Sequence, residues 1–313
     1  MIKTYVLAAT TFVSLLLAFS PAEAAGISRA WVSGKGTDAA GCGAPSNPCR
    51  TFQYVHDNII AAGGEIDVLD PAGYGAIAIA KAISIVNDGV GTAGVQAASG
   101  NAITINAGGG DAIYLRGLSV EGLGTGAVGL QFNTGGRLTV INCAFRHFTA
   151  EGVYLAPTGP ISFSISNTVV DDNASNGVYI APVGAGSAQG TITNVEANGN
   201  GFDGIAVDGQ NLTGNANSNI TIVGSVASNN ASMGVAVQSG QMSVLARETN
   251  ASFNGFAGFV TTLGGVLRLS RSVATGNSQG VSSIGTVYTY DDNSIVGNSA
   301  QDINATMSNL SSH

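Results

Sequence analysis

The chain has 313 residues, 11 Lys and Arg against 19 Asp and Glu, a net charge of −8 and 45 glycines. Only 10% of residues are charged while 44% are hydrophobic, which excludes a disordered chain. The acidic balance, with a pI near 4.6, excludes a basic nucleic-acid binder, so no nucleic-acid partner is expected.

Residues 1–24 read as a secretory signal peptide. Lys3 supplies the positive start, Tyr5 to Phe19 the short apolar run, and Ala22-Glu23-Ala24 the small-x-small cleavage pattern. The run is shorter than the roughly 20 residues a spanning helix needs, and no second apolar run of that length follows. The expectation is a secreted or periplasmic protein with no transmembrane segment after cleavage. Export permits disulfides, and Cys42 and Cys49 bracket a loop that a bridge would staple. Cys143 lies in the apolar stretch Val140 to Phe145 and reads as a buried free thiol. Next in the chain, Thr51 is placed to cap a helix running through Ala62. Phe52, Val55, Ile59 and Ile60 would share one face, and Gly63 would end it.

From about residue 126 the chain repeats one phrase: small or polar residues, a Gly, then a short alternating apolar run. The repeat glycines are Gly129, Gly152, Gly177, Gly204, Gly234, Gly258 and Gly280, at intervals of 23, 25, 27, 30, 24 and 22 residues. Between them lies a second alternating run, as in Leu138 to Ile141 and Ile220 to Val223. A period of this size with two or more short strands per unit means a solenoid. The Leu-x-x-Leu-x-Leu phrase of leucine-rich repeats is missing, and short β-branched runs suit three faces per coil. Alternation sends Val153, Leu155, Val178, Ile180, Ile205, Val207, Val235 and Val237 inward. It sends Tyr154, Tyr179, Ala206 and Ala236 outward. A second period is carried by asparagine. Asn173, Asn200, Asn230 and Asn254 stand four residues before a repeat Gly, and Asn298 stands four before Asp302. Asn277 is displaced by one, and Phe148 is the exception. Stacked at the strand spacing of about 4.8 Å, such a column can hydrogen-bond along its length.

These repeats resemble those of the right-handed parallel β-helix, or pectate-lyase-like, superfamily. The N-terminal phrases Trp31 to Asp38, Pro48-Cys49-Arg50-Thr51-Phe52-Gln53, Gly63 to Val68 and Gly73-Tyr74-Gly75 are similar to the leading segment of many exported β-helix proteins. The resemblance implies an all-β fold, a right-handed parallel β-helix solenoid with a short N-terminal capping helix. Residues 1–24 would be the signal peptide, 25–65 an N-terminal strand and the capping helix, and 66–313 the β-helix. A helix there would close the open apolar end of the solenoid. The outward Tyr154 and Tyr179, beside acids, amides and lengthened turns, make polysaccharide or cell-surface glycan the expected partner. Lyases of this superfamily use an Arg base and calcium held by acids, but the chain has no Arg-x-Pro-x-x-Arg phrase. Its hydrolases carry Asn-Thr-Asp, Asp-Asp, Gly-His-Gly and Arg-Ile-Lys phrases, of which only Asp171-Asp172 is present.

Aligning on the repeat Gly sets Arg146 beside Asp171 and His147 beside Asp172 in the next coil. This group suits calcium or a general acid–base pair, or simply a charge-paired turn. One residue before the Gly runs a column Glu151, Asn176, Asp203, which puts two carboxylates two coils apart, about 9.6 Å. That is near the ~6.5–9.5 Å spacing of inverting glycosidases. Tyr154 and Tyr179 should be adjacent and outward, a platform for the apolar face of a sugar. The catalytic candidates are therefore Glu151, Asp171, Asp172 and Asp203. The binding candidates are Tyr154, Tyr179, Asn176, Arg146 and His147. The leading expectation is an exported protein that contacts polysaccharide along one face. A non-catalytic structural or adhesive rod, and a lyase or hydrolase, stand as alternatives.

Overall fold

The computed structural model describes residues 26–213 and 216–311. The expected signal peptide lies outside them. Among the described residues, no helix is long and apolar enough to cross a membrane.

Short β-branched runs leave their main-chain groups unpaired at both edges, and each coil satisfies them by pairing with the coil before and after it. The result is a parallel solenoid of about nine turns. Its strands fall into a 12-stranded sheet, a 10-stranded sheet, a short 5-stranded sheet and a two-stranded pair of Val273–Ala274 with Ser294–Ile295, all pairings between strands being parallel. The Leu138 phrase builds the long sheet, where Leu138 pairs with Phe163. The repeat-Gly phrase builds the 10-stranded sheet, where Tyr154 pairs with Tyr179. The short sheet carries Ala144–Arg146 and Val169–Asp171. Isolated bridges from Val169 through Glu196, Val226 and Asn250 to Val273 extend it along later coils.

The eight residues expected inside, from Val153 to Val237, are all fully buried. Each contributes roughly 1.5–3 kcal/mol relative to exposure. Ala206 and Ala236 share the outward column with the tyrosines, as the alternation requires, yet both are buried. The repeat glycines face inward with no space to spare. A Cβ on Gly204 would lie 2.7 Å from Asn230 Nδ2 and 2.9 Å from Ala227 Cβ. That crowding is why the phrase keeps a Gly there.

The asparagine column forms a continuous ladder. Asn173 Nδ2 donates to Asn200 Oδ1, Asn200 to Asn230, Asn230 to Asn254, Asn254 to Asn277 and Asn277 to Asn298, at 3.0–3.1 Å. Each acceptor also takes the backbone N–H of the preceding Asn, as in Asn200 N to Asn230 Oδ1 at 3.0 Å. The one-residue displacement of Asn277 is absorbed in its turn. In the coil without an Asn, the Phe148 N–H donates to Asn173 Oδ1 at 3.2 Å.

At the N-terminal end, Thr51 caps the helix and accepts from the Tyr54 N–H. The helix is shorter than expected, Phe52–Asn58 rather than through Ala62. Ile60–Val68 is instead a strand, paired with Ile27–Val32 on one side and Ile83–Val86 on the other. Two sheet ladders outweigh the local helical pattern of Ile59 and Ile60. The boundary drawn at residue 65 therefore falls inside a strand. Phe52 and Val55 still pack on the core. Cys42 and Cys49 are bridged with their Cα atoms 5.0 Å apart, and Cys143 is free and buried.

Candidate functional site

The asparagine turn divides the sequence candidates into two groups. The short sheet ends at Arg146 or Asp171 on one side of it, and the 10-stranded sheet begins at Val153 or Val178 on the other.

On the far side of the turn, Tyr154 and Tyr179 sit at paired positions, half-buried and outward, with rings stacked 5.2 Å apart at 18°. The pair is held from the next coil, where the Tyr179 hydroxyl donates to Asp208 Oδ2 at 3.0 Å. Asp208 is buried and its other oxygen takes the Gln210 N–H at 2.9 Å. Burial pushes the Tyr179 phenol up, and the negative Asp208 pushes it further. Tyr154 is raised by burial and by the negative Glu151 and Asp208. Both rings therefore stay neutral through the physiological range. Glu151 is half-exposed beside them and accepts from the Ser175 hydroxyl at 3.0 Å. The loops after Ile180 and Asp208 border this face and stack on each other. Gly184 N donates to Asn211 O at 2.9 Å, and Thr213 N to Gly184 O at 2.8 Å.

Glu151, Asn176 and Asp203 do share a column, each carbonyl accepting the repeat-Gly N–H of the coil before. The two carboxylates are not equivalent, however. Asp203 is 0% exposed, its Oδ1 takes the Met233 N–H at 3.0 Å and its Oδ2 is buried without a hydrogen-bond partner. Burial raises its carboxyl to about 6, against the pull of the Met233 amide and the Ser232 hydroxyl. Asn176 is buried too, its Oδ1 taking the Asp203 N–H at 3.3 Å. Asp203 and Asn176 therefore lie beneath the surface rather than on it. The carboxylate pair expected across two coils does not face a common ligand.

On the near side of the turn, Arg146 pairs in register with Asp171 and with Glu121. His147 Nδ1 lies 2.7 Å from Glu121 Oε1, and the Asn198 N–H donates to Asp171 Oδ1 at 2.8 Å. Burial raises the Asp171 carboxyl, opposed by the Asn198 amide and helped by the negative Asp172 and Glu196. His147 and Asp172 both take left-handed φ, 60° and 56°, and line a shallow pocket of about 380 Å³ with Thr149 and Ala174. Calcium would need six or more oxygen ligands. Among the described residues, the one group of three or more His, Cys, Asp or Glu ligand atoms drawn together is Asp38, Cys42 and Cys49, and those cysteines are bridged. Among the described residues, the Asp171–Asp172 turn thus offers no converging set of three acidic side chains.

Asp208 and Glu121 are the polar residues the sequence reading missed. Asp208 stands four residues after its repeat Gly, so it has the same outward parity as the tyrosines. Glu121 precedes the first clear repeat, where no phrase aligned it.

The crystal structure of pectate lyase Pel9A aligns with 84% of this chain and 75% of its own, with a TM-score of 0.61 and 14% identity. The chain has the pectate-lyase-like parallel β-helix fold. Within this β-helix, the A-module of the Azotobacter vinelandii mannuronan C-5 epimerase AlgE4 aligns over 90% of the chain and 88% of its own, at a TM-score of 0.43 and 17% identity. No family model and no curated protein matches the sequence.

Proposed function

We propose that the chain is an exported β-helix protein that contacts polysaccharide along the tyrosine face of its 10-stranded sheet. The carrying observation is the stacked Tyr154–Tyr179 pair, locked from below by Asp208 and left half-open above. Two parallel neutral rings receive the C–H face of a sugar, and the rim carboxylate of Glu151 accepts from its hydroxyls. A fold shared with a pectate lyase supports the class of partner, and the Cys42–Cys49 bridge supports an oxidising compartment.

Binding without bond cleavage is the better-supported reading. Asp203 is sealed in, and the five arginines Arg137, Arg146, Arg247, Arg268 and Arg271 form no single positive strip. Arg146 lies on the short sheet, while Arg137, Arg247 and Arg268 occupy different columns of the long one. The test is retardation of the protein in gels containing neutral or acidic polysaccharides, with parallel assays for new reducing ends and unsaturated uronates. Tyr154→Ala and Tyr179→Ala should each weaken retardation about tenfold, the scale of one lost ring contact. Unchanged retardation in both variants would refute the tyrosine face as the site. Sustained product release would replace binding with catalysis.

A further inference from the structure

Three phenylalanines stand exposed along the asparagine turn, and neither the repeat pattern nor the tyrosine face accounts for them. Phe202 is 47%, Phe253 61% and Phe256 41% exposed. Backbone hydrogen bonds place two of them in one column. Phe202 N donates to Ser175 O at 3.1 Å, Ser232 N to Phe202 O at 2.9 Å, and Phe256 N to Ser232 O at 2.8 Å. Phe202 and Phe256 are thus two coils apart, about 9.6 Å, with the small Ser232 between them.

Phe253 lies in a neighbouring column, and its backbone is the second observation. That column is left-handed throughout: Asp172, Gly199, Asn229, Phe253 and Gly276 have φ of 56°, 65°, 59°, 58° and 69°. The other four are residue types that tolerate this conformation. A bulky aromatic there is strained, and Phe253 gains little burial in return. Its ring rests against Gly276, where a Cβ would collide with it. A residue that is poor for its backbone and poor for the core is explained by what it presents to solvent.

Charge selects the occupant. Across the turn segments 198–204, 228–234 and 252–258 the one ionisable residue is Asp203, which is buried. In a chain of net charge −8, these three segments expose aromatic rings and no charge, the next carboxylate in the Phe253 column being Asp172, one coil before Gly199. We propose that the ridge of Phe202, Phe253 and Phe256 is a second glycan-binding site, selective for an uncharged, extended β-1,4-linked polysaccharide. Phenyl rings stack on pyranose C–H faces and offer no hydrogen bond to a carboxylate. In such a polymer every second sugar presents the same face, which suits rings placed in alternate coils.

The test uses the whole chain in affinity electrophoresis against hydroxyethyl cellulose and, separately, polygalacturonate. The variants are Phe253→Asn and the double variant Phe202→Ser/Phe256→Ser, which restores the serine of neighbouring coils. The double variant should lose retardation by hydroxyethyl cellulose about tenfold, and Phe253→Asn about fivefold. The thermal midpoint of Phe253→Asn should not fall, because Asn suits the left-handed position. The losses of the phenylalanine double variant and of Tyr154→Ala should multiply when the changes are combined, which separates this site from the tyrosine face. The proposal is overturned if the neutral polymer does not retard the parent protein, or retards the phenylalanine variants equally. Concentration-dependent self-association in light scattering, lost in the double variant, would also overturn it by making the ridge a contact between copies.

Discussion

Asp203 should make the protein less stable as pH rises, the reverse of the usual carboxylate. Its carboxyl sits at about 6 in the folded chain against an ordinary 3.8. At about 1.36 kcal/mol per pH unit, the difference corresponds to about 3 kcal/mol. Between these values the folded state holds more protons than the unfolded one, so stability falls as pH climbs from about 4 through 6. Below the lower value the contribution is fully present, and above the upper one it is lost. Asp203→Asn removes the charge and keeps an oxygen for the Met233 N–H. Guanidinium unfolding of parent and variant should give equal stabilities near pH 4. The gap should widen to about 2–3 kcal/mol in favour of the variant by pH 8. Asp171 titrates in the same sense, and Asp57 and Asp70, held low in the folded chain, in the opposite one. All three cancel in the difference between the two proteins. A gap independent of pH, or a variant weaker than its parent at pH 8, would refute the reasoning.

Two other outcomes follow from buried polar groups. Asn230→Ala strips acceptors from both the N–H and the side-chain amide of Asn200, and should cost about 2–4 kcal/mol in denaturant unfolding. Asn298→Ala, at the half-buried end of the ladder, should cost less, and equal losses would count against the ladder as a cooperative element. The Cys143 thiol, pushed up to about 11 by burial, should resist a thiol-specific reagent until the protein unfolds. One rapid equivalent in the native state would contradict that.

The coil architecture was legible because it is periodic. The repeat Gly, the inward valines and isoleucines and the asparagine column all declare themselves at one spacing, and sheet pairing carries that spacing into space. The helix end was misread because Ile59 and Ile60 suit a helix face and a strand equally, and only pairing with distant strands decides between them. The site was less legible, since column position does not reveal depth. Glu151 and Asp203 share a column, but one meets solvent and the other is sealed under its neighbours. Phe202, Phe253 and Phe256 escaped notice because they fall in the turns, where no alternation points a side chain in or out.

The asparagine ladder also carries information about its own length. A carboxamide both gives and takes hydrogen bonds, so each Asn can be followed by another without limit. At the last rung the acceptor is not a carboxamide but Asp302, whose Oδ1 takes both the N–H and the Nδ2 of Asn298 at 2.9 Å. A carboxylate only takes. Those two bonds favour the ionised form of Asp302 and pull its carboxyl below the ordinary value. It therefore acts as a full stop in a one-way sentence of amides, and replacing it with Asn would restore a donor and let the pattern read on.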